Sequence, residues 1–253
     1  MDDPVVYIFL VVVLFGSYFQ SVTGFAMGII IVSILGGLRV LEIPALAAVI
    51  SLLAMINVLF ALKGRYRLID RSLFFWLGLG QVPAIFLGLM FMNWLDLNSK
   101  WMLEACLGLF ITLGSLSMVL RPEPNKQRSR PSTVWFFGSL GGLVGGMFSA
   151  SGPVLGWFAY RQPIELAIIR STLLSCFMLT TTTRTVLVGL EGGLDQDVMT
   201  LVVVGLPAVI LGAWLGRRLP PALSENVLKR SAFGLLFILG LGIIVTSILQ
   251  AFN

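Results

Sequence analysis

Apolar residues in this chain run in long blocks, not in the short alternations of a water-soluble fold. Six blocks occupy about residues 43–62, 72–92, 101–120, 164–188, 198–216 and 231–250. Each approaches the roughly 20 residues that cross a hydrocarbon core, so each predicts a transmembrane helix. Two further blocks, about 5–36 and 133–160, are too long for one simple helix. Both contain glycine-bearing interruptions, "SVTGFAMG" at 21–28 and "GGLVGGMFSASGPVLG" at 141–156. Glycine and proline punctuate helices. Each long block is therefore expected to break and turn back as a hairpin, ahead of three plain spans. The polar stretch "RPEPNKQRSRPS" at 121–132 is a linker between two membrane repeats, 1–120 and 133–253.

The two repeats echo one another. Thr23-Gly24-Phe25-Ala26-Met27-Gly28 corresponds to Ser151-Gly152-Pro153-Val154-Leu155-Gly156, and Val82-Pro83-Ala84 to Leu206-Pro207-Ala208. The Gly108 to Gly114 spacing recurs as Gly234 to Gly240. These landmarks keep their order at an offset of about 125 residues, the mark of an internal duplication. Pro83 and Pro207 fall inside predicted helices, where proline kinks the helix and shapes its packing.

Charge then chooses between topologies. If both long blocks crossed once, Lys63, Arg65, Arg67, Arg71, Arg121, Lys126, Arg128 and Arg130 would share one face, with Arg39, Lys100, Arg161, Arg217, Arg218, Lys229 and Arg230 opposite. Eight against seven specifies no orientation. Drawn as hairpins, the same residues divide thirteen to two, with only Arg39 and Lys100 opposite the rest. The rule that Lys and Arg stay on the cytoplasmic side favours the hairpins. A hairpin followed by three crossings inverts the second repeat, placing Glu191, Asp195, Asp197 and the Asp2-Asp3 start outside. The fold expected is an all-α polytopic membrane protein of two inverted repeats. Each is a broken or re-entrant hairpin plus three transmembrane helices.

Composition narrows the function. With 57% hydrophobic and 11% charged residues, the chain departs far from soluble proteins, where about a quarter of residues carry charge. Membrane lipids are its surroundings, and the net charge of +5 is a topology signal, not a nucleic-acid surface. Asp2 and Asp3 stand where a secretory signal carries basic residues, so the first apolar segment is read as retained. Cys106 and Cys176 lie in apolar runs and imply neither a disulfide nor a metal framework. The chain has no histidine, which excludes Ser-His or Cys-His catalysis and His-ligated zinc hydrolysis. No Asp or Glu sits near the middle of a predicted span, so cation transport and a carboxylate proton relay lack their usual groups. An enzyme is not expected.

What remains suits an anion. A hairpin tip at membrane depth must turn its unpaired backbone N–H groups toward protein or a wet cavity. Helix starts there attract anions, with Thr23, Gly24, Ser151, Gly152 and Pro153 as candidate binding residues. The bland reading of "GGLVGG" is close helix packing. The span "ELAIIRSTLLSCFMLTTTTRTVLVGL" adds Arg170, Ser171, Thr172 and Arg184. Guanidinium forks pair with oxyanions. Both arginines lie near span ends, however, where snorkelling to lipid headgroups is the alternative. Thr180 to Thr183 supply hydroxyls whose commonest use is bonding to their own helix. The corresponding helix of the first repeat offers only Ser51 and Asn57, so the site is expected to be asymmetric.

The duplicated spans, the small-residue motifs "SVTGFAMG" and "GGLVGGMFSASGPVLG", and the ending "FGLLFILGLG" at 233–242 resemble the TauE/SafE sulfite-exporter family of bacterial inner-membrane permeases. The likeness covers nearly the whole chain, although the first motif is poorer in glycine than the family pattern. It implies a multi-pass protein of the bacterial cytoplasmic (inner) membrane that moves small sulfur-containing or carboxylated organic anions, often outward, without a cofactor. An anion channel and a non-transporting structural membrane protein are the other readings of the residues.

The charge division yields a direct test. Labelling single cysteines in intact cells is expected to place positions Gly64 and Pro124 inside and Gly193 outside. Finding positions 193 and 124 on one side would restore eight simple crossings.

Overall fold

The computed structural model describes the backbone of residues 3–120, 124–219 and 225–251, and the side chains of 4–120, 124–219 and 233–251. Of the charges counted above, Asp2, Arg121 and the side chains of Asp3, Lys229 and Arg230 lie outside the described residues.

The elements are helical. They are α1 (Asp3–Thr23), α2 (Met27–Ile31, continued by a π-helical turn over Val32–Gly36), α3 (Ile43–Leu62), α4 (Arg71–Asn98) and α5 (Lys100–Val119). After the connection come α6 (Pro131–Phe148), α7 (Gly152–Tyr160), α8 (Leu166–Leu190), α9 (Gln196–Arg218) and α10 (Glu225–Ala251). Seven of the described helices are long and apolar enough to cross a membrane: α1, α3, α4, α5, α8, α9 and α10. Six are the plain spans expected above. The seventh is the first arm of the first long block, which by itself supplies a span of 20 residues, Pro4–Thr23.

Local chemistry sets the starts. Pro44, Pro131 and Pro153 occupy the first turns of α3, α6 and α7, where a missing N–H costs nothing. The Asp70 carboxylate accepts from the Leu73 N–H at 2.9 Å, and the Asp195 carboxylate accepts from the Val198 N–H at 2.8 Å, capping α4 and α9.

Both long blocks break, and the chain doubles back at each. A Cβ on Gly16 of α1 would lie 3.2 Å from Ile31, the last residue of α2, so the second arm runs back along the first. Likewise Gly141 of α6 faces Leu155 of α7.

The remaining helices pair across the two halves: α1 on α9, α4 on α6, α5 on α10, and α3 on α8. Small residues make this possible. A Cβ on Gly142 would lie 2.5 Å from the Gln81 carbonyl, and Gly88, Gly138 and Gly146 are seated as tightly on backbone. On the other pair Gly212 abuts Leu14 and Ser17, and Gly216 abuts Tyr18 and Ser21. Lipid tails are as apolar as leucine, so close backbone approach supplies the contact that exclusion from water cannot. Packing is thus the role of Gly142 and Gly146 in "GGLVGG".

Contacts gather the connections into two ends. At one, Arg128 pairs with Asp70 at 2.9 Å, the Asn125 N–H donates to the Arg161 carbonyl at 2.7 Å, and Arg217 donates to the Phe60 carbonyl at 3.1 Å. At the other, Arg39 pairs with Glu104 at 2.7 Å, Lys100 pairs with Glu42 at 2.9 Å, and Asn93 donates to Glu191 at 3.1 Å. Exposed Trp135 and Trp214 lie toward the first end, Trp94 and Trp101 toward the second, as aromatic side chains do at membrane interfaces. Gly64 has φ +82°, a conformation strained for cysteine, so exposed Tyr66 is the better position for a label at its end.

Gly142→Leu is expected to cost at least about 1–3 kcal/mol, the usual penalty for overpacking, because the obstacle is backbone and cannot rotate away. The readout is a lower thermal midpoint in detergent. Gly234→Ala, where nothing lies within 4 Å, is the neutral control. Equal midpoints for the two variants would refute the close packing of α4 and α6.

Candidate functional site

The first break is built by three residues after α1. The Thr23 hydroxyl donates to the Phe19 carbonyl at 2.8 Å and accepts from the Phe25 N–H at 3.4 Å, closing the helix end. Gly24 takes φ +86°, which costs a residue without Cβ little. The Tyr160 hydroxyl of α7 donates to the Thr23 carbonyl at 2.9 Å, so one hairpin ties down the other's tip.

At the second break α6 ends in Ser149, whose left-handed φ of 55° turns the chain and whose N–H donates to the Gly145 carbonyl at 2.9 Å. Ser151 precedes α7 and makes no side-chain capping bond. The two breaks meet. A Cβ on Gly28 would lie 2.6 Å from the Ser149 carbonyl, and the Phe25 ring packs over Gly152 and Gly156.

Between them lies a cavity of about 20 Å³, walled by Gln20, Phe25, Gly28, Ala54, Ser149, Ser151, Gly152, Pro153, Phe177, Thr180 and Thr181, among others. One water needs about 10–15 Å³, so this space holds about one water and no larger anion. Thr180 and Thr181 donate to their own helix at Cys176 and Phe177, which leaves oxygen lone pairs as their free capacity. Gln20 is 4% exposed and its Nε2 has no hydrogen-bond partner. A buried donor without an acceptor costs about 1–3 kcal/mol. At a cavity wall, it is an available donor. The sequence reading missed Gln20, although an amide one turn before Thr23 in an apolar run was a visible signal.

Arg184 stands behind the second break. It is 0% exposed. Its Nε donates to the Gly146 carbonyl at 2.8 Å, an acceptor that α6 leaves unused by stopping. Its Nη1 donates to the Ser51 hydroxyl at 3.0 Å, and Ser51 shares a hydrogen bond of 2.9 Å with the Ser149 hydroxyl at the cavity wall. Nη2 lies 3.8 Å from the Met92 sulfur. Among the described residues no carboxylate is within 4 Å of this guanidinium. Arg184 therefore does not snorkel; it points into the protein. On the facing helix Asn57 donates its amide to the Ser17 carbonyl of α1, a neutral counterpart of the Arg184 contact with α6.

The other expected residues sit farther out. Arg170 is half-buried, with its stem against Gly24. The Ser171 and Thr172 hydroxyls donate to the Ala167 and Ile168 carbonyls at 2.9 and 2.8 Å. Thr172 also accepts from the Asp70 N–H at 2.9 Å, tying α8 to the start of α4. Ser151, Gly152 and Pro153 thus border the cavity. Thr23 and Gly24 adjoin it through Phe25, Arg184 backs it, and Arg170, Ser171 and Thr172 are outside its lining. Among the described residues no three His, Cys, Asp or Glu side chains are grouped as metal ligands.

Seven span-length apolar helices and two broken segments whose breaks meet at a small cavity make this a multi-pass helical membrane protein, and its relatives make it one of a transporter family and not an enzyme. A family model described as sulfite exporter TauE/SafE matches residues 8–243, and the chain belongs to that family. It is 36% identical over 233 residues, 92% of this chain and 91% of the relative, to a Cupriavidus necator protein named "Probable sulfite/organosulfonate exporter TauE". No solved structure matches the chain.

Arg184→Gln is expected to lower stability by about 1–3 kcal/mol, because it leaves the Gly146 carbonyl without its donor. Arg184→Lys is expected to fall between, since one ammonium cannot reproduce the guanidinium fork. Thermal unfolding in detergent measures both. A Gln variant as stable as the parent would show that the carbonyl needs no partner.

Proposed function

We propose that this chain exports small sulfur-containing oxyanions, of the sulfite or organosulfonate type, across the bacterial cytoplasmic membrane. It does so by alternating access of two inverted halves. The carrying observation is the cavity where two broken helices meet, walled by hydroxyls and the Gln20 amide and backed by buried Arg184. The Gln20 amide and the Ser151 hydroxyl are donors an oxyanion needs, and the guanidinium behind them adds positive charge. The start of α7 adds helical N–H groups at Gly152 and Val154 that have no acceptor within their helix. The relative's name supplies the sulfur chemistry.

Several features support the inverted halves. Exchanging the halves turns the α1–α9 pair into α6–α4 and leaves the α3–α8 and α5–α10 pairs as they are. Asp70 and Asp195 cap corresponding helices, and Pro83 and Pro207 sit inside them. The end holding Arg128, Arg161 and Arg217 is the cytoplasmic face in this reading. Arg170, packed on Gly24, lies on the route from that face to the cavity. Because the cavity is smaller than any such anion, loading requires one hairpin to move against the other, as in transporters built from inverted repeats.

Purified protein in liposomes tests the reading by counterflow with sulfite, sulfoacetate, taurine and a simple carboxylate. Saturable exchange of sulfite or a sulfonate is expected. Gln20→Leu should reduce it about tenfold to a hundredfold, the worth of a hydrogen bond to a charged group. Flux that never saturates would indicate a channel, and absence of flux for every anion would refute transport.

A further inference from the structure

We propose that the site accepts its oxyanion only in the singly charged form, so that sulfite crosses as hydrogen sulfite. The inference rests on the anion-transport reading above and adds the charge state of the cargo.

Its basis is the charge inventory around the cavity. Among the described residues Arg184 is the one charged side chain that is fully buried, and no cavity-lining residue titrates. Among the described residues the neighbouring elements contribute no second fully buried charge, and α10 contributes the Phe233 ring, stacked on Phe25. From α1 comes the neutral Gln20 amide, and from α3 come Ser51 and Asn57. α4 presents Gln81, which donates to Thr180, and Met92, which touches the guanidinium. On α7 the Tyr160 hydroxyl is engaged by the Thr23 carbonyl. On α8 the Cys176 thiol is buried, and Arg170 is half-buried against Gly24, outside the lining. Glu191, past the end of α8, is exposed and accepts from Asn93.

A site whose described lining holds no charge, with one fully buried cation behind it, meets mono- and dianions unequally. Attraction to Arg184 grows in proportion to the anion's charge. The cost of removing the anion from water grows as the square of that charge. Doubling the charge therefore doubles the gain and quadruples the penalty. Arg184 itself reaches the cavity only through Ser51 and Ser149, so it cannot form a second direct fork on the anion to offset the difference. Neutral hydroxyls and an amide solvate one negative charge without overcoming that imbalance. A protonated oxyanion also finds an acceptor there, because Thr181 spends its own proton on α8 and its oxygen keeps accepting capacity, whereas that of Thr180 already accepts from Gln81.

The test compares three anions in liposomes containing the purified full chain, in media from mildly acidic to mildly alkaline. Methanesulfonate is singly charged throughout, sulfate doubly charged throughout, and sulfite loses its second proton near neutrality. Protein-free liposomes correct for neutral sulfur dioxide. Expected are a flat methanesulfonate flux and sulfate flux at the protein-free level. Sulfite flux should fall about tenfold per pH unit on the alkaline side, following the hydrogen sulfite fraction. Sulfite flux that stays level or rises with alkalinity while methanesulfonate stays flat overturns the inference, as does sulfate moving as fast as sulfite. No flux for any of the three overturns transport itself and this inference with it.

Discussion

A helix interrupted inside hydrocarbon leaves backbone groups that lipid cannot satisfy, and each unpaired group costs several kcal/mol there. Much of this structure answers that constraint. At the first break the Thr23 hydroxyl serves Phe25 N–H and Tyr160 serves the Thr23 carbonyl. At the second, Ser149 turns left-handed and Arg184 supplies the donor that Gly146 lost. The partners come from the opposite hairpin and from α8, so each interruption depends on tertiary contacts that close around it.

The same arrangement explains how a guanidinium can sit inside the bundle. Placing arginine at the centre of a lone helix in a membrane costs about 2.5–3.5 kcal/mol on insertion scales. Here all three of its nitrogens have a neighbour: a carbonyl, a hydroxyl and a thioether sulfur. Its hydrogen bonds to a carbonyl and a hydroxyl offset lost hydration, while no described carboxylate pairs with it directly and exposed Glu191 past α8 acts on it only at longer range. Structural support and a buried positive charge are therefore properties of one side chain. Asn57, which makes the comparable contact on α3, gives the support without the charge.

Much of this was legible in the residues. Apolar block lengths located the six plain spans, since hydrocarbon thickness imposes a length that local sequence must meet. The motifs at 21–28 and 141–156 marked the breaks because left-handed turns and helix restarts demand small residues, prolines and hydroxyls. Arg184 was visible as a charge in a span, but its direction was not, because depth along a helix says nothing about azimuth. Gln20 escaped notice for a related reason. Its meaning depends on facing the other hairpin, 130 residues away in sequence at Ala150, and that proximity belongs to tertiary packing. The hydroxyls of Ser171 and Thr172 show the reverse case, since polar residues beside an arginine turned out to bond their own helix and the start of α4.

The pairing of α1 with α9 and of α4 with α6 has a consequence for biogenesis. Gly212 and Gly216 meet α1 nearly two hundred residues after it leaves the ribosome, and the polar face of Ser17 waits as long for the Val209 carbonyl. Until then an amphipathic seam on the nascent first half stands open to lipid or to whatever guards it. Each half holds surfaces that only the other completes. Topology can be decided helix by helix during synthesis, whereas native packing must wait for the last third of the chain.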